Sequence, residues 1–346
     1  MVDGRFNSGV GSDFSTLGAA IGENTHLKHL LFALAGRRLD VIHHTGFYDC
    51  LKRNTSINEL NLNCAGHNIV GGVVEEILKA YQENDNLTLL RILRAGLQNG
   101  GDYLVATTLR HCTNLSKIGL RYSDMTDGQL LPIIEAVRGL HSLVELNLES
   151  NRISNAGCEA LASLLEDPNS NMHTLNLEEN LIGNDGAIAL ANSLADNTKL
   201  RDLWLGSNPF DTSVHDTFSK VLCNKASINQ TYMSNNTIVV VLPEDPRDEL
   251  DFLLDLNNEN TNKSHVAIKK ILQYHPNIDM APLFEWNMEE DGESNLKALP
   301  YVIAWFQRAR AAISDQEGES YNIDARELSA IYKFAQAMPL LFVPAS

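Results

Sequence analysis

The sequence predicts an α/β fold of stacked repeats, each a short strand, a turn and a helix joining parallel strands, followed by an α-helical C-terminal extension. Three observations lead there. The stretch Leu143-Val144-Glu145-Leu146-Asn147-Leu148-Glu149-Ser150-Asn151-Arg152-Ile153, spaced L-x-x-L-x-L-x-x-N-x-I, recurs along the chain at a nearly constant step. Between copies the apolar spacing changes from that of a strand to that of a helix. After Ile238 the repetition stops.

The copies begin at Leu27, Ile57, Leu87, Leu115, Leu143, Met172, Leu200 and Ile228, in steps of 28 to 30 residues. A fixed period of this size is the mark of a stacked-repeat architecture. The second apolar anchor is Leu30, Leu60, Leu90, Ile118, Leu146, Leu175 and Leu203, with Thr231 as the exception. The third is Phe32, Leu62, Ile92, Leu120, Leu148, Leu177, Leu205 and Met233. Helical spacing follows in Leu131, Ile134 and Val137, in Leu161, Leu164 and Leu165, and in Leu190, Ala191 and Leu194. Each unit is therefore a strand, a turn and a crossover helix, the usual way to join parallel strands.

The ninth motif position is Asn151, Asn180, Asn208 and Asn236 in the last four copies and Ala35, Ala65, Ala95 and Ser123 in the first four. The chain leaves the strand there, and an Asn amide can satisfy the backbone groups that lose their ladder partners. The N-terminal half, lacking it, is expected to be less regular. Stacked repeats bury their apolar faces only against neighbours, so the ends need caps. Residues 1–26 are expected to supply the first, with Phe14 to Ile21 as the helix of an incomplete leading repeat. Residues 27–242 form the eight-repeat solenoid, with Val239-Val240-Val241-Leu242 closing the ladder. Residues 243–346 form an acidic helical region that opens on Pro243-Glu244-Asp245-Pro246. Its helices are read at Ser264 to Tyr274, Asn295 to Ile313 and Asp324 to Met338, with exposed linkers at Asn257 to Lys263 and Glu289 to Asn295.

The repeat pattern resembles the leucine-rich-repeat family, specifically its ribonuclease-inhibitor-like subclass of 28- to 29-residue helical repeats, over Asp13 to Ile238. The resemblance implies a leucine-rich-repeat solenoid, a horseshoe with parallel concave strands and outer helices. The pieces Leu299 to Trp305 and Met338 to Phe342 are similar to tails of uncharacterised algal and protist proteins with such repeats, which brings no activity with it.

The formal net charge is −17 and the pI about 5.0, which speaks against non-specific binding to nucleic acid or anionic membrane. Five cysteines are spread singly with no CxxC pair, so neither a disulfide framework nor a structural zinc site is expected. The sequence shows no secretory leader pattern and no apolar run long enough to span a bilayer. Cytoplasmic residence is expected, with the nucleus left open, and a monomeric state.

There is no phosphate loop, HExxH or GxSxG, so the chain is expected to be no enzyme and to hold no cofactor and no metal. Gly9-Val10-Gly11 lacks the third glycine of a dinucleotide fingerprint. His43 and His44 are adjacent and point apart. Cys64 is placed on an outward-facing strand position as a lone, at least partly exposed thiol.

What remains is the concave face. Alternate side chains of a strand face opposite ways, so the fifth and seventh motif positions face out, flanked by the third and eighth. Repeats three and four present Arg91, Arg94, Lys117 and Arg121, with Tyr122 among them. Repeats five and six present Glu145, Glu149, Glu178 and Glu179. The last two present Trp204 and Tyr232, with Asp202 beside them. One reading is a solvated face whose opposite charges pair across strands. The other is a recognition surface for a protein or peptide, favoured by the outward aromatics. The expected function is thus a non-catalytic protein-interaction scaffold. Two alternatives come from resemblance. The Ran GTPase-activating proteins share the repeat type and an acidic tail, and Arg37 and Arg38 are the arginines such a role would test. A ribonuclease-inhibitor-like role would suit a basic target.

Overall fold

The computed structural model describes residues 11–33, 45–70, 72–82, 85–239, 248–258 and 263–275. The chain divides into two compact units, residues 1–222 with 237–258, and residues 223–236 with 259–346.

The first unit is built on one parallel sheet. Its strands are β1 (His29–Ala33), β2 (Glu59–Asn63), β3 (Leu89–Leu93), β4 (Lys117–Arg121), β5 (Glu145–Asn147), β6 (Thr174–Asn176) and β7 (Asp202–Trp204), paired in sequence order. The second anchors stand in one register row, Leu30, Leu60, Leu90, Ile118, Leu146, Leu175 and Leu203. All are buried, and Leu60, Leu90, Leu175 and Leu203 completely so. The helices are α1 (Gly11–Glu23), α2 (Thr45–Arg53), α3 (Val73–Gln82), α4 (Gly101–His111), α5 (Asp127–Val137), α6 (Asn155–Leu165), α7 (Asn184–Ser193) and α8 (His215–Leu222). They return the chain between strands, and each packs on the next. α1, expected as the helix of a leading repeat, packs on α2.

Three asparagines hold the turns after β5, β6 and β7. Asn151 Nδ2 donates to the carbonyls of Leu120 (2.7 Å), Leu148 (2.8 Å) and Glu149 (3.3 Å), and its Oδ1 accepts from the backbone of Ser123 and Met125 at 3.1 Å each. Asn180 and Asn208 repeat the pattern, accepting from Ile153 and Ile182. Earlier, Ser123 Oγ accepts from the Ala95 N–H at 3.1 Å in the same role. The asparagine-poor half is not the less regular one in its ladder: β1 to β4 have five residues each, β5 to β7 three.

A second polar row ties the helix starts together. Asp127 accepts from the N–H of Ser154 (2.8 Å) and of Gly157 (3.1 Å), at the entry of α6, and from Ser154 Oγ (2.6 Å). Asn155 Oδ1 accepts from Gly183 N–H at 2.8 Å, and Asn184 Oδ1 from Asp211 N–H at 2.9 Å. Each of these residues opens one helix and satisfies orphan donors at the start of the next. Gly157 leaves the room for this. A Cβ there would lie 2.5 Å from Asp127 Oδ1 and 2.6 Å from Ile153 Cγ2. Gly157→Ala is therefore expected to lower stability by about 1 to 2 kcal/mol, read as a shift in urea midpoint.

Two expectations need correction. The eighth motif, from Ile228, forms no strand; Ile228–Met233 is a helix, α9, in the second unit. Ser227 caps it by accepting from Gln230 N–H at 3.2 Å, and Thr231, in the anchor position, donates to the Asn224 carbonyl at 2.8 Å. A polar anchor with local partners has no reason to enter an apolar sheet core. Asn236 correspondingly leaves the asparagine row; its Oδ1 accepts from Lys270 Nζ at 2.8 Å. Beside β7 stands Val239, whose N–H reaches the Arg201 carbonyl at 2.8 Å; residues 240–242 lie outside the described residues. The second concerns the linker expected from Asn257, whose start falls within a helix, α10 (Asp248–Asn258). This helix packs on α8 and buries Leu250, Leu253 and Leu256. Asn257, taken as the start of an exposed linker, is buried and donates to the Ile238 carbonyl at 2.6 Å.

In the second unit, α11 (Lys263–Tyr274) packs against α9. It is the helix expected from Ser264 to Tyr274. The helices expected at Asn295 to Ile313 and Asp324 to Met338, and the linker at Glu289 to Asn295, lie outside the described residues.

Candidate functional site: the strand face

The parity of the strands places the charged residues in rows across the sheet. In the row of the third motif position, His29 Nδ1 lies 2.5 Å from Glu59, Lys117 Nζ 2.9 Å from Glu145, and Thr174 donates to Asp202 at 3.3 Å. In the row of the seventh, the Arg121 guanidinium pairs with Glu149. Glu149 also accepts from Tyr122 OH at 3.0 Å and from Asn176 Nδ2 at 3.3 Å. Burial works against the Arg121 charge, but the bonds to Glu149 outweigh it and raise the arginine pKa.

The eighth position turns the chain. Arg94, Tyr122, Ser150, Glu179 and Ser207 all have φ between 52° and 56°. That left-handed backbone carries side chains here, at a cost of about 1 kcal/mol or more each. It swings them outward at the end of each strand. Arg94 and Arg121 then flank the Tyr122 ring, at 5.9 and 5.3 Å from its centroid, a cation–π arrangement. Ser150 Oγ donates to Glu179 at 2.5 Å.

In repeat two the left-handed residue is Ala65, one position later. Cys64 thus continues the strand alternation and points inward. It is fully buried rather than exposed, and burial pushes its thiol up to about 12, away from reactivity at neutral pH.

Arg91 is half-buried on β3, and its stem lies over Gly119 of β4: a Cβ at 119 would sit 3.2 Å from Arg91 Cγ. Glu178 on the face is half-buried and Glu179 exposed. Trp204 ends β7 with 41% of its surface open. Of the residues named from sequence, Arg91, Arg94, Lys117, Arg121, Tyr122, Glu145, Glu149, Glu178, Glu179, Asp202 and Trp204 lie on or at the rim of this sheet. Tyr232 does not. It is on α9, because the eighth motif is helical. Arg37, Arg38, His43 and His44 lie outside the described residues. Among the described residues no group of three His, Cys, Asp or Glu is placed to hold a metal ion. Among them, too, no helix is long and apolar enough to cross a membrane.

The sequence profile described as Leucine Rich repeat matches residues 139–162 and 169–191. With the stacked strand-helix units, this makes the fold an α/β leucine-rich-repeat solenoid. Among solved structures, the chain is similar to leiomodin-1 actin-binding site 2, at 19% identity over 45% of this chain and 88% of that one, with a TM-score of 0.39. It is also similar to the Caenorhabditis elegans tropomodulin C-terminal domain, at 15% identity over 46% and 93%, TM-score 0.37. A third likeness is to an internalin of Listeria monocytogenes, at 18% identity over 57% and 59%, TM-score 0.30. No curated protein sequence matches the chain.

Proposed function

We propose that this protein is a non-catalytic interaction scaffold that holds a protein or peptide partner on its strand face, and that it works in the cytoplasm as a monomer. The observation that carries the reading is Trp204. It stands on the last strand of the sheet, 41% exposed, two residues after Asp202 and in register with Asn176 of β6. A large ring left partly in water on a rigid strand is the kind of group that anchors interfaces, since it buries much area at little entropic cost. The acidic balance of the chain disfavours nucleic acid as the partner.

Trp204→Ala is expected to reduce recovery of the partner captured from cell extract by tenfold or more, since interface anchors are worth about 2 kcal/mol or more. The urea midpoint should stay where it is, because the ring is not part of the buried core. Equal recovery by wild type and variant would remove the strand face from consideration.

A further inference from the structure

The charges of the strand face are not evenly mixed. At its middle they cancel: Lys117 pairs with Glu145, and Arg121 with Glu149, which Tyr122 and Asn176 hold in place. The charges of that part of the face are paired within the chain. On β3 and the turn after it, Arg91 and Arg94 form no ion pair among the described residues. On β6, β7 and the turn between them, Glu178, Glu179 and Asp202 form none either. Hydroxyls donate to two of them, Ser150 to Glu179 and Thr174 to Asp202. The face thus has a cationic zone at β3, a neutral middle and an anionic end bearing Trp204.

Solubility needs charge but not this segregation; interspersed signs serve it better. Glu178 and Glu179 are neighbours in the chain, and a cationic partner at this end of the sheet would meet them and Asp202 with no ion pair to displace. Arg91 is also held rather than free to wave, because its stem is seated over Gly119.

We propose, building on the scaffold reading above, that the face takes a single protein segment of split charge. Carboxylates at one end of the segment meet Arg91 and Arg94. Lysines or arginines at its other end meet Glu178, Glu179 and Asp202, with an apolar or aromatic side chain against Trp204. Strands lie about 4.8 Å apart, so β3 and β7 are separated by about 19 Å along the sheet. A helical segment of about 13 residues, or an extended one of about 6, covers that span. The neutral middle asks of the segment only small or polar side chains. Such a match sets the direction in which the segment lies and rejects partners of uniform charge.

The test uses the full chain and three synthetic peptides of about 16 residues on an alanine-rich helical host. One has glutamates in one half and lysines with a tryptophan in the other. The second has the same composition with the charges alternating. The third carries lysines and the tryptophan alone. Binding is followed by fluorescence anisotropy at low salt. The split peptide is expected to bind about tenfold more tightly than the alternating one. Arg91→Glu with Arg94→Glu should remove that advantage without weakening the lysine-only peptide. Glu178→Lys with Glu179→Lys should weaken both. Equal binding of split and alternating peptides, or no binding of either, overturns the split-charge segment. If only the Glu178, Glu179 and Trp204 substitutions then matter, the strand face remains the binding surface. If no substitution changes any peptide's binding, the scaffold reading of this face falls with it.

Discussion

Replacing Asn151 by alanine is expected to lower the unfolding free energy by about 4 kcal/mol, a large share of a typical domain's total stability. The side chain is buried and makes five bonds to backbone groups of two adjacent repeats. Two of its partners, the N–H groups of Ser123 and Met125, face the interior of the turn. An alanine methyl offers them nothing, and a buried polar group left without a partner costs about 1 to 3 kcal/mol. Asn151→Asp is no remedy. It keeps an acceptor for the N–H groups but sets a carboxylate against the carbonyls of Leu120, Leu148 and Glu149. Asn208→Ala should cost less, since Asn208 is only half-buried and its Oδ1 accepts from one N–H, that of Ile182. Urea titrations by far-UV circular dichroism decide this. The order of loss should be Asn151 greater than Asn208, and an Asn151→Ala midpoint within error of wild type would contradict the account.

The same asparagines show how far the sequence could be read. Leu143, Leu146 and Leu148 announce themselves because a strand face and a repeat step agree on them, and the register rows confirm every second anchor from Leu30 to Leu203. Asn151, Asn180 and Asn208 were legible for the same reason. Asp127, Asn155 and Asn184 were not, although they too recur once per repeat. A polar residue at a helix start reads as that helix's own solvated cap, and nothing local says that its oxygen serves the next repeat. For Cys64 and Tyr232 the motif position and the backbone disagree. A left-handed residue one place late keeps Cys64 inside, and a serine cap with a threonine anchor turns the segment of Tyr232 into a helix. The charges on the strand face were visible one by one. Their division into paired and unpaired sets was not, because pairing depends on which side chains meet across strands some 28 residues apart in sequence, as Arg121 and Glu149 are.

Lys270 is the least foreseeable case, and it leads to a pH dependence of the same sign as the usual acid-labile one but placed above neutrality. In sequence it is one of two adjacent lysines in the helix expected from Ser264 to Tyr274. In the second unit it is fully buried on α11, donating to the Asn235 carbonyl at 2.9 Å and to Asn236 Oδ1 at 2.8 Å. Burial lowers its pKa from 10.5 to about 7, with Lys263 acting in the same direction and Cys223 opposing. Between those two values the unfolded chain holds a proton that the folded one has released, so stability rises with pH from about 7 upward. Above pH 9 the trend is spoiled by the buried thiols of Cys64, Cys112 and Cys158. Their folded pKa values, raised to about 12, let the unfolded chain ionise first and lose stability as pH climbs. Below neutrality His275, whose pKa is lowered by burial, begins to matter in the same unit. The clean window is therefore pH 7 to 9, over which the Lys270 contribution should grow by about 2 kcal/mol. Amide hydrogen exchange of Ala267 to Leu272 in wild type and in Lys270→Met, compared at each pH so that intrinsic rates cancel, isolates it. Protection of the wild type should gain on that of the variant by about thirtyfold across the window. Parallel profiles would mean that the ammonium stays charged inside the fold, held by the Asn235 and Asn236 oxygens strongly enough to offset its lost hydration.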